Sequence, residues 1–337
     1  MASWGQTLMR KFFLFFLLIF LFPLYAQIFT GTSDWHLEVE PRIGMTYGSL
    51  GEYLYMKKSD GSWKKNSFLE WEEKPLWTYG LEISGSFRAF RASAYVDAAL
   101  PLRSGSMMDS DWKLDDKPDI KTNYSIHENT STMNIRTGLT LACDFSPLDW
   151  LTISPLAQAE YAYRSFEARN GEGWYGDTVA WDDPSATHYP GTYNGVRYIL
   201  AGLDYQFQTL QIFAGLQFTF MPLNRLRAGL GVFVSPYSYS FAEDRHYTNK
   251  ARTTGNYYVF KSHSNFTRYK AEVFARWRLK HFLELGLSVQ GLVSGIERTE
   301  IYDEDPETGK IYRNTSLEGG LSLAEVIVRL SAKVLIF

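Results

Sequence analysis

The chain has 337 residues, of which 45% are hydrophobic and 21% charged, and its formal net charge is -3. A charge this close to neutral excludes a general nucleic-acid binder, which carries a clustered basic excess. The single cysteine, Cys143, excludes an internal disulfide framework and a cysteine-based zinc site. Aromatic residues make up 16% of the chain, a share typical of proteins with aromatic girdles at membrane interfaces.

The first 26 residues have the pattern of a signal peptide. Arg10 and Lys11 precede an apolar run over residues 12–24, and Ala26 ends an acceptable cleavage site before Gln27. The run is short for a membrane span, although a membrane-anchor helix is the alternative interpretation. We therefore expect an exported protein in which residues 1–26 are removed and residues 27–337 form one domain.

Ten later segments alternate apolar and polar residues. In the first of them Leu37, Val39 and Ile43 share one parity, whereas Glu38 and Glu40 have the other. Such alternation places the two classes on opposite faces of a strand. The pattern predicts strands over residues 37–47, 77–87, 92–100, 133–141, 151–159, 199–207, 226–234, 269–279, 283–289 and 326–336.

Ten strands of this kind predict an all-β fold, a ten-stranded antiparallel transmembrane β-barrel that is apolar outside and polar inside. The barrel must close, because lipid cannot satisfy the hydrogen-bonding groups of an open edge. A soluble β sandwich is the alternative, but a sandwich rarely alternates in every strand at this length. A barrel of ten strands is narrow, so we expect a filled lumen rather than an open pore.

The connections between the predicted strands alternate in length. Short turns are expected near residues 87–91, 146–150, 222–224 and 280–281, and long polar segments near residues 52–70, 104–128, 165–195, 240–265 and 296–318. Outer-membrane barrels combine short periplasmic turns with long extracellular loops. We therefore expect the long segments to be loops outside the cell and to carry the function.

Two polar clusters in the long segments could carry chemistry. The first, the aspartate pair, is Asp109 and Asp111, and the second, the Asp–His pair, is Asp244 and His246. Residues two apart on an extended segment point to the same face. Facing carboxylates can hold a water molecule and raise each other's pKa, and an aspartate beside a histidine can orient its imidazole. Solvated loops and a metal site built from Asp and His are the alternatives.

With the motifs SMMDSDW at residues 106–112 and EDRHY at residues 243–247, the sequence resembles the omptins, the outer-membrane endoproteases of Gram-negative bacteria, over essentially the whole mature chain. The resemblance implies that the two pairs face each other across the extracellular rim of the barrel. His246 would act as general base on a water molecule held beside Asp109, and Asp244 would orient His246. Asp111 would support the other carboxylate and the tetrahedral intermediate, with no acyl-enzyme.

The resemblance also implies polypeptide substrates that are cut next to basic residues, with no cofactor and no nucleic-acid partner. Glu52 falls at the family position for the acidic floor of the first specificity pocket, and Met107 falls at a position that lines it. The family pattern has a second acid two residues before the catalytic aspartate, where this chain has Ala242. One acid fewer predicts a weaker or shifted preference for basic residues.

The expected location is the bacterial outer membrane, with the site facing outside. Omptins need lipopolysaccharide, which charged residues hold on the outer barrel wall. The corresponding segment here, residues 160–164 (EYAYR), does not reproduce that pattern, which leaves lipopolysaccharide dependence open. A non-proteolytic barrel that acts as an adhesin or structural protein, or a passive porin, is the alternative function.

Parity places a condition on the site. Counted straight along its strand, the Asp–His pair has the lipid-facing parity, so a bulge or break must lie between Ser235 and Glu243. Pro236 is a natural place for it, because proline in sheets occurs at edges and bulges. The aspartate pair shares the parity of Asp97 and Arg103, and is therefore predicted to point into the barrel mouth.

Overall fold

The computed structural model describes residues 35–190, 192–193, 196–197, 202–247, 255–305 and 308–336, so the predicted signal peptide and residues 199–201 of the sixth predicted strand lie outside the described residues. The described part contains seventeen β-strands: β1 Trp35–Lys57, β2 Trp63–Phe87, β3 Phe90–Ala99, β4 Leu102–Asp111, β5 Asn123–Cys143, β6 Phe145–Leu148, β7 Leu151–Tyr175, β8 Thr187–Tyr189, β9 Thr192–Tyr193, β10 Val196–Arg197, β11 Leu203–Leu223, β12 Leu226–Tyr247, β13 Gly255–Ser264, β14 Arg268–Lys280, β15 Leu283–Ser294, β16 Glu297–Glu304 and β17 Ile311–Leu335. Within these ranges there is no helix long and apolar enough to cross a membrane.

The strands form a closed antiparallel ring with ten positions, as the sequence predicts. β1 pairs with β2 on one side and with β17 on the other, which closes the ring. Three positions hold two strands end to end, namely β3 with β4, β14 with β13, and β15 with β16. Closure leaves no free sheet edge in the ring, which lipid requires.

The alternation read from the sequence separates an outer from an inner face. In β1, Ile43 and Tyr47 are exposed on the outer face, whereas Glu40 and Thr46 are buried on the inner face. The same division recurs around the ring, for example at Leu139 outside. An apolar outer wall of this kind is the surface that a bilayer needs.

Ion pairs cross the lumen at mid-barrel. Arg164 of β7 lies 2.7 Å from Glu325 of β17, and Arg136 of β5 lies 2.5 Å from the same carboxylate. Arg164 also lies 3.4 Å from Glu73. All four side chains are buried, and buried charges persist only when they are paired. The network connects opposite walls of the ring and fills the lumen, which argues against a passive porin.

The inner face is not polar along its whole length, which corrects the expectation of a polar lumen. Near the end where the strands project furthest, the interior is filled by a cluster of apolar side chains that includes Leu50, Trp71, Met107, Phe166 and Tyr205. Four of these five residues lie outside the predicted strand segments, so the alternation did not reach them. Tyr205 lies in the sixth predicted strand, and its predicted outward orientation is wrong, because it is buried in the interior while Leu210, Ile212 and Leu216 form the exposed outer face of β11. The cluster forms a solid floor beneath the barrel mouth.

The two ends of the barrel differ in their connections. The predicted short turns are confirmed as two-residue turns at residues 88–89, 149–150, 224–225 and 281–282. The predicted long loops are wrong in part, because much of each long segment continues as paired strand. Between β1 and β2, for example, only residues 58–62 are outside a strand. These hairpins project beyond the apolar belt, where both faces can be polar, so they lack the alternation that marks a membrane strand.

Candidate active site

The aspartate pair lies on the inner face of β4 at the projecting end. Asp109 is opposite Leu69 of β2 and Ser125 of β5, and Asp111 is opposite Ser67 and Asn123. The hydroxyl of Ser67 donates a hydrogen bond of 3.3 Å to Oδ1 of Asp109. The pair therefore points into the barrel mouth, as predicted.

The parity argument behind that prediction is wrong in one step. Arg103 is two-thirds exposed, and Ser104 beside it is fully buried, so the inner face changes parity after Asp97. A register shift between Arg103 and Ser106 changes it back. Gly105 occupies this bulge with a φ of 76°, a left-handed conformation that glycine adopts without strain. Two irregularities cancel, which a straight count could not reveal.

The irregularity required by the Asp–His pair is confirmed. Phe213 of β11 faces both Ser235 and Pro236 of β12, because Ile212 pairs with Tyr237 and Ala214 with Val234. This bulge inverts the face of every later residue of β12. β12 also changes its other neighbour here, from β14 below the bulge to β13 above it.

The bulge turns Asp244 and His246 into the mouth. Asp244 is buried, and its Oδ2 lies 2.6 Å from Nε2 of His246, whose side chain is about one quarter exposed. Nδ1, the second ring nitrogen of His246, is the one that this contact leaves for other interactions. Asp244 holds the ring in this orientation, which is the usual role of a carboxylate behind a catalytic imidazole.

The pKa values show that the two pairs interact. Burial, followed by the charge of Asp111, raises the pKa of Asp109 to about 7, and His246 partly opposes the rise. Burial disfavours the His246 cation, but Asp244, with Asp109 and Asp111, outweighs burial and raises the pKa of His246 to about 9. Between these values Asp109 and His246 together carry one proton. One base and one acid are then available in the same mouth.

The two predicted pocket residues lie close to the pairs. Glu52 of β1 is 3% exposed, and burial together with the neighbouring charge of Asp244 raises its pKa well above the ordinary value. Met107 is fully buried opposite Trp71, within the apolar floor. Ala242 is also fully buried. The structure thus places Glu52 beside Asp244 and Met107 in the floor.

Ser125 and His127 of β5 were not identified from the sequence. They are buried on the inner face, where Nε2 of His127 lies 3.1 Å from Oγ of Ser125. Burial, with the positive charges of His246 and Arg169, lowers the pKa of His127 to about 4, so this imidazole is neutral. The spacing of two residues, which marks the other two pairs, was the available signal.

The backbone of β7 makes room for His127. Asn170 has a left-handed φ of 55°, and a Cβ on Gly171 would lie 2.2 Å from Cε1 of the imidazole. Farther along β7, burial and then the charges of Asp109 and Asp111 raise the pKa of Tyr175 to about 12. The site therefore includes a second, neutral histidine and a phenol beside the aspartate pair.

Comparison with known proteins supports the fold and shows the family. The model of the omptin family matches residues 34–324. The crystal structure of the outer membrane protease OmpT from Escherichia coli is similar with a TM-score of 0.76 and 16% identity, over 91% of this chain and 99% of that chain. At this identity the likeness concerns the fold.

Two further barrels are more distant. The outer membrane protein OprG from Pseudomonas aeruginosa has a TM-score of 0.32 and 9% identity, over 91% of this chain and 98% of that chain. The P. putida toluene transporter TodX has a TM-score of 0.27 and 8% identity, over 89% and 90%. No curated protein sequence matches the chain.

Proposed function

Because the chain belongs to the omptin family of outer-membrane proteases, we propose that it is an endopeptidase that hydrolyses peptide bonds next to basic residues. The water would be activated between the aspartate pair and the Asp–His pair. The observation that carries the proposal is that the side chains of the two pairs, from β4 and β12, lie close enough for their charges to act on one another.

The proton balance follows from the shared proton. In the reactive form Asp109 holds this proton and His246 is neutral, so His246 accepts a proton from water as the oxygen attacks the carbonyl carbon. The resulting imidazolium then gives a proton to the leaving amine, and Asp244 stabilises the cation. Asp111 supports Asp109 and the tetrahedral intermediate. The form with Asp109 ionised and His246 protonated holds the same number of protons and is the more populated one, so only the fraction with neutral His246 reacts and the pH profile follows the one-proton state.

Substrate preference would come from the excess of acids around the mouth. Glu52 and Asp244 are buried next to each other in the mouth, and Glu243 is partly exposed. Arg245 lies 3.6 Å from Glu243 and 3.8 Å from Glu304, so one cation is shared between two acids here. A basic side chain entering the mouth would be attracted by this charge, which supports a basic residue beside the cleaved bond.

We further propose that lipopolysaccharide is not held at the outer wall of β7. Glu160 and Arg164 point into the lumen, where Glu160 accepts a hydrogen bond of 2.6 Å from Tyr95. The outer face of the same segment presents Tyr161 and Tyr163, which donate hydrogen bonds to glutamine side chains of β11. This face is therefore uncharged and lacks the charges that would bind a lipid phosphate.

Peptide cleavage by refolded protein tests the proposal. Wild type, His246→Ala and Asp109→Asn would be compared on peptides with and without a basic residue, each with and without lipopolysaccharide. His263→Ala is the matched control, because His263 is exposed on the outer face of β13. We expect wild type and His263→Ala to cleave at basic residues and the other two variants not to cleave. The rate of cleavage is expected to be the same with and without lipopolysaccharide. A wild type that cuts no peptide would favour the adhesin or structural alternative.

A further inference from the structure

Three buried polar groups in the floor have no hydrogen-bond partner within the described part of the chain. They are Oε2 of Glu52, the hydroxyl of Tyr205 and the indole nitrogen of Trp71. Such groups are rare in folded proteins, and at a functional site they are suited to bind a polar group of a substrate. All three belong to side chains that are at most 3% exposed.

The three groups lie together beside Asp244. Tyr205 is directly opposite Asp244 on the neighbouring strand, and the charges of Glu52 and Asp244 act on its hydroxyl. The ring of Trp71 stacks on Tyr205 with centroids 5.0 Å apart and planes 9° apart. Phe207, two residues further along β11, also stacks on Tyr205, with ring centroids 6.4 Å apart and planes 10° apart. The phenol is thus fixed, and its hydroxyl belongs to the floor of the mouth.

The chemistry of this floor distinguishes two basic side chains. It offers one carboxyl group and one neutral phenol oxygen beside flat aromatic rings. A guanidinium is planar, weakly hydrated and carries five N–H donors, so it can donate to both oxygens and lie against a ring. An ammonium is a compact, strongly hydrated charge and gains less from a neutral oxygen.

We propose that Tyr205 is a specificity-determining residue that makes the site select arginine over lysine at the residue before the cleaved bond. The inference rests on the proposed proteolytic function and names the substrate of that site. The guanidinium donates one hydrogen bond to Glu52 and one to the hydroxyl of Tyr205, and a water molecule accepts from Trp71. Entry requires a side chain of the floor to move, and Met107, which is unbranched and lies opposite Trp71, is its flexible member.

The test uses two peptides that differ only in arginine or lysine before the cut. We expect wild type to favour the arginine peptide in kcat/KM by about tenfold. Tyr205→Phe keeps the aromatic stack and removes only the hydroxyl, so it is expected to lower kcat/KM for arginine and leave lysine unchanged. Tyr161→Phe, which removes a hydroxyl on the outer wall, is the matched control and is expected to keep the wild-type ratio.

Equal rates for the two peptides in wild type would overturn the inference, and so would an unchanged ratio in Tyr205→Phe. If wild type cleaves neither peptide, the proposed function fails and binding decides the inference separately. Binding of each peptide would then be followed by tryptophan fluorescence in wild type and Tyr205→Phe. Tighter binding of the arginine peptide that is lost in the variant supports the selectivity, and equal binding refutes it.

Discussion

Replacing Asp244 by asparagine is expected to move the alkaline limit of activity to lower pH. Asp244 and His246 form a largely buried ion pair with 2.6 Å between Oδ2 and Nε2. Burial by itself disfavours the imidazolium, and attraction to Asp244 is the largest effect that opposes burial. Asparagine keeps the shape of the side chain and removes its charge. The proton of His246 should therefore leave at a lower pH.

The size of the effect follows from the pKa of His246. Its rise from 6.5 to about 9 corresponds to about 3 kcal/mol. Asp109 and Asp111 supply part of this, so we expect the alkaline limb to fall by about 2 pH units rather than to vanish. The pKa of Asp109 falls less, because burial and Asp111 raise it more than Asp244 does. The pH range in which Asp109 and His246 share one proton then nearly disappears. As a result, kcat/KM at pH 8.5 is expected to drop by about 20-fold.

The assay is kcat/KM for a fluorogenic peptide with one arginine, measured from pH 5.5 to 10.5. Wild type should give a bell-shaped profile with limbs near 7 and 9, since kcat/KM reports ionisations of the free enzyme. Circular dichroism, and the electrophoretic mobility of unheated compared with heated protein, would verify that the barrel is folded. An alkaline limb that stays near 9 in Asp244→Asn would refute the assignment of that ionisation to His246.

Three other substitutions test separate parts of the structure. Glu52→Gln is expected to lower the kcat/KM ratio of basic to neutral peptides by about tenfold, because one charge leaves the floor; an unchanged ratio would show that Glu52 does not contact substrate. Gly171→Ala should displace His127, and is therefore expected to reduce activity and to lower the thermal stability of the barrel. Combining it with His127→Ala removes the clash and should restore the stability, as measured by thermal unfolding. Arg164→Met leaves Glu325 with one arginine fewer and is expected to destabilise the barrel by about 3–5 kcal/mol in urea unfolding; a wild-type midpoint would contradict a structural role for this pair.

The membrane part of the fold was predictable because bilayer physics leaves a clear pattern. One face of each strand must be apolar, so alternation revealed the ten positions of the ring and the parity of residues such as Ile43 and Glu40. The projecting hairpins were not predictable in this way. Both of their faces meet water or each other, and the pairing of residues 63–70 with residues 51–57 depends on register rather than on alternation.

The site was predictable to the extent that chemistry appears as spacing. Asp109, Asp111, Asp244 and His246 occur as two pairs at i, i+2, and the parity conflict at the second pair located the bulge at Pro236. The cancelling irregularities on β4 were hidden, because Gly105 gives no sign of its left-handed φ in the sequence. The contacts within the floor were hidden as well, since they join strands that are distant along the chain.

The departure from the family pattern at Ala242 fits its surroundings. On one side Ala242 is directly opposite Phe207, and on the other side it is directly opposite Phe260; all three side chains are fully or almost fully buried. A carboxylate at this position would lie between two benzyl rings, without a partner of opposite charge, and burial of an unpaired charge is strongly unfavourable. The missing acid at position 242 is therefore matched by the apolar residues opposite it on β11 and β13, and is not an isolated change in β12. In such a floor the neutral hydroxyl of Tyr205 can take part in recognition where a second charge would destabilise the fold.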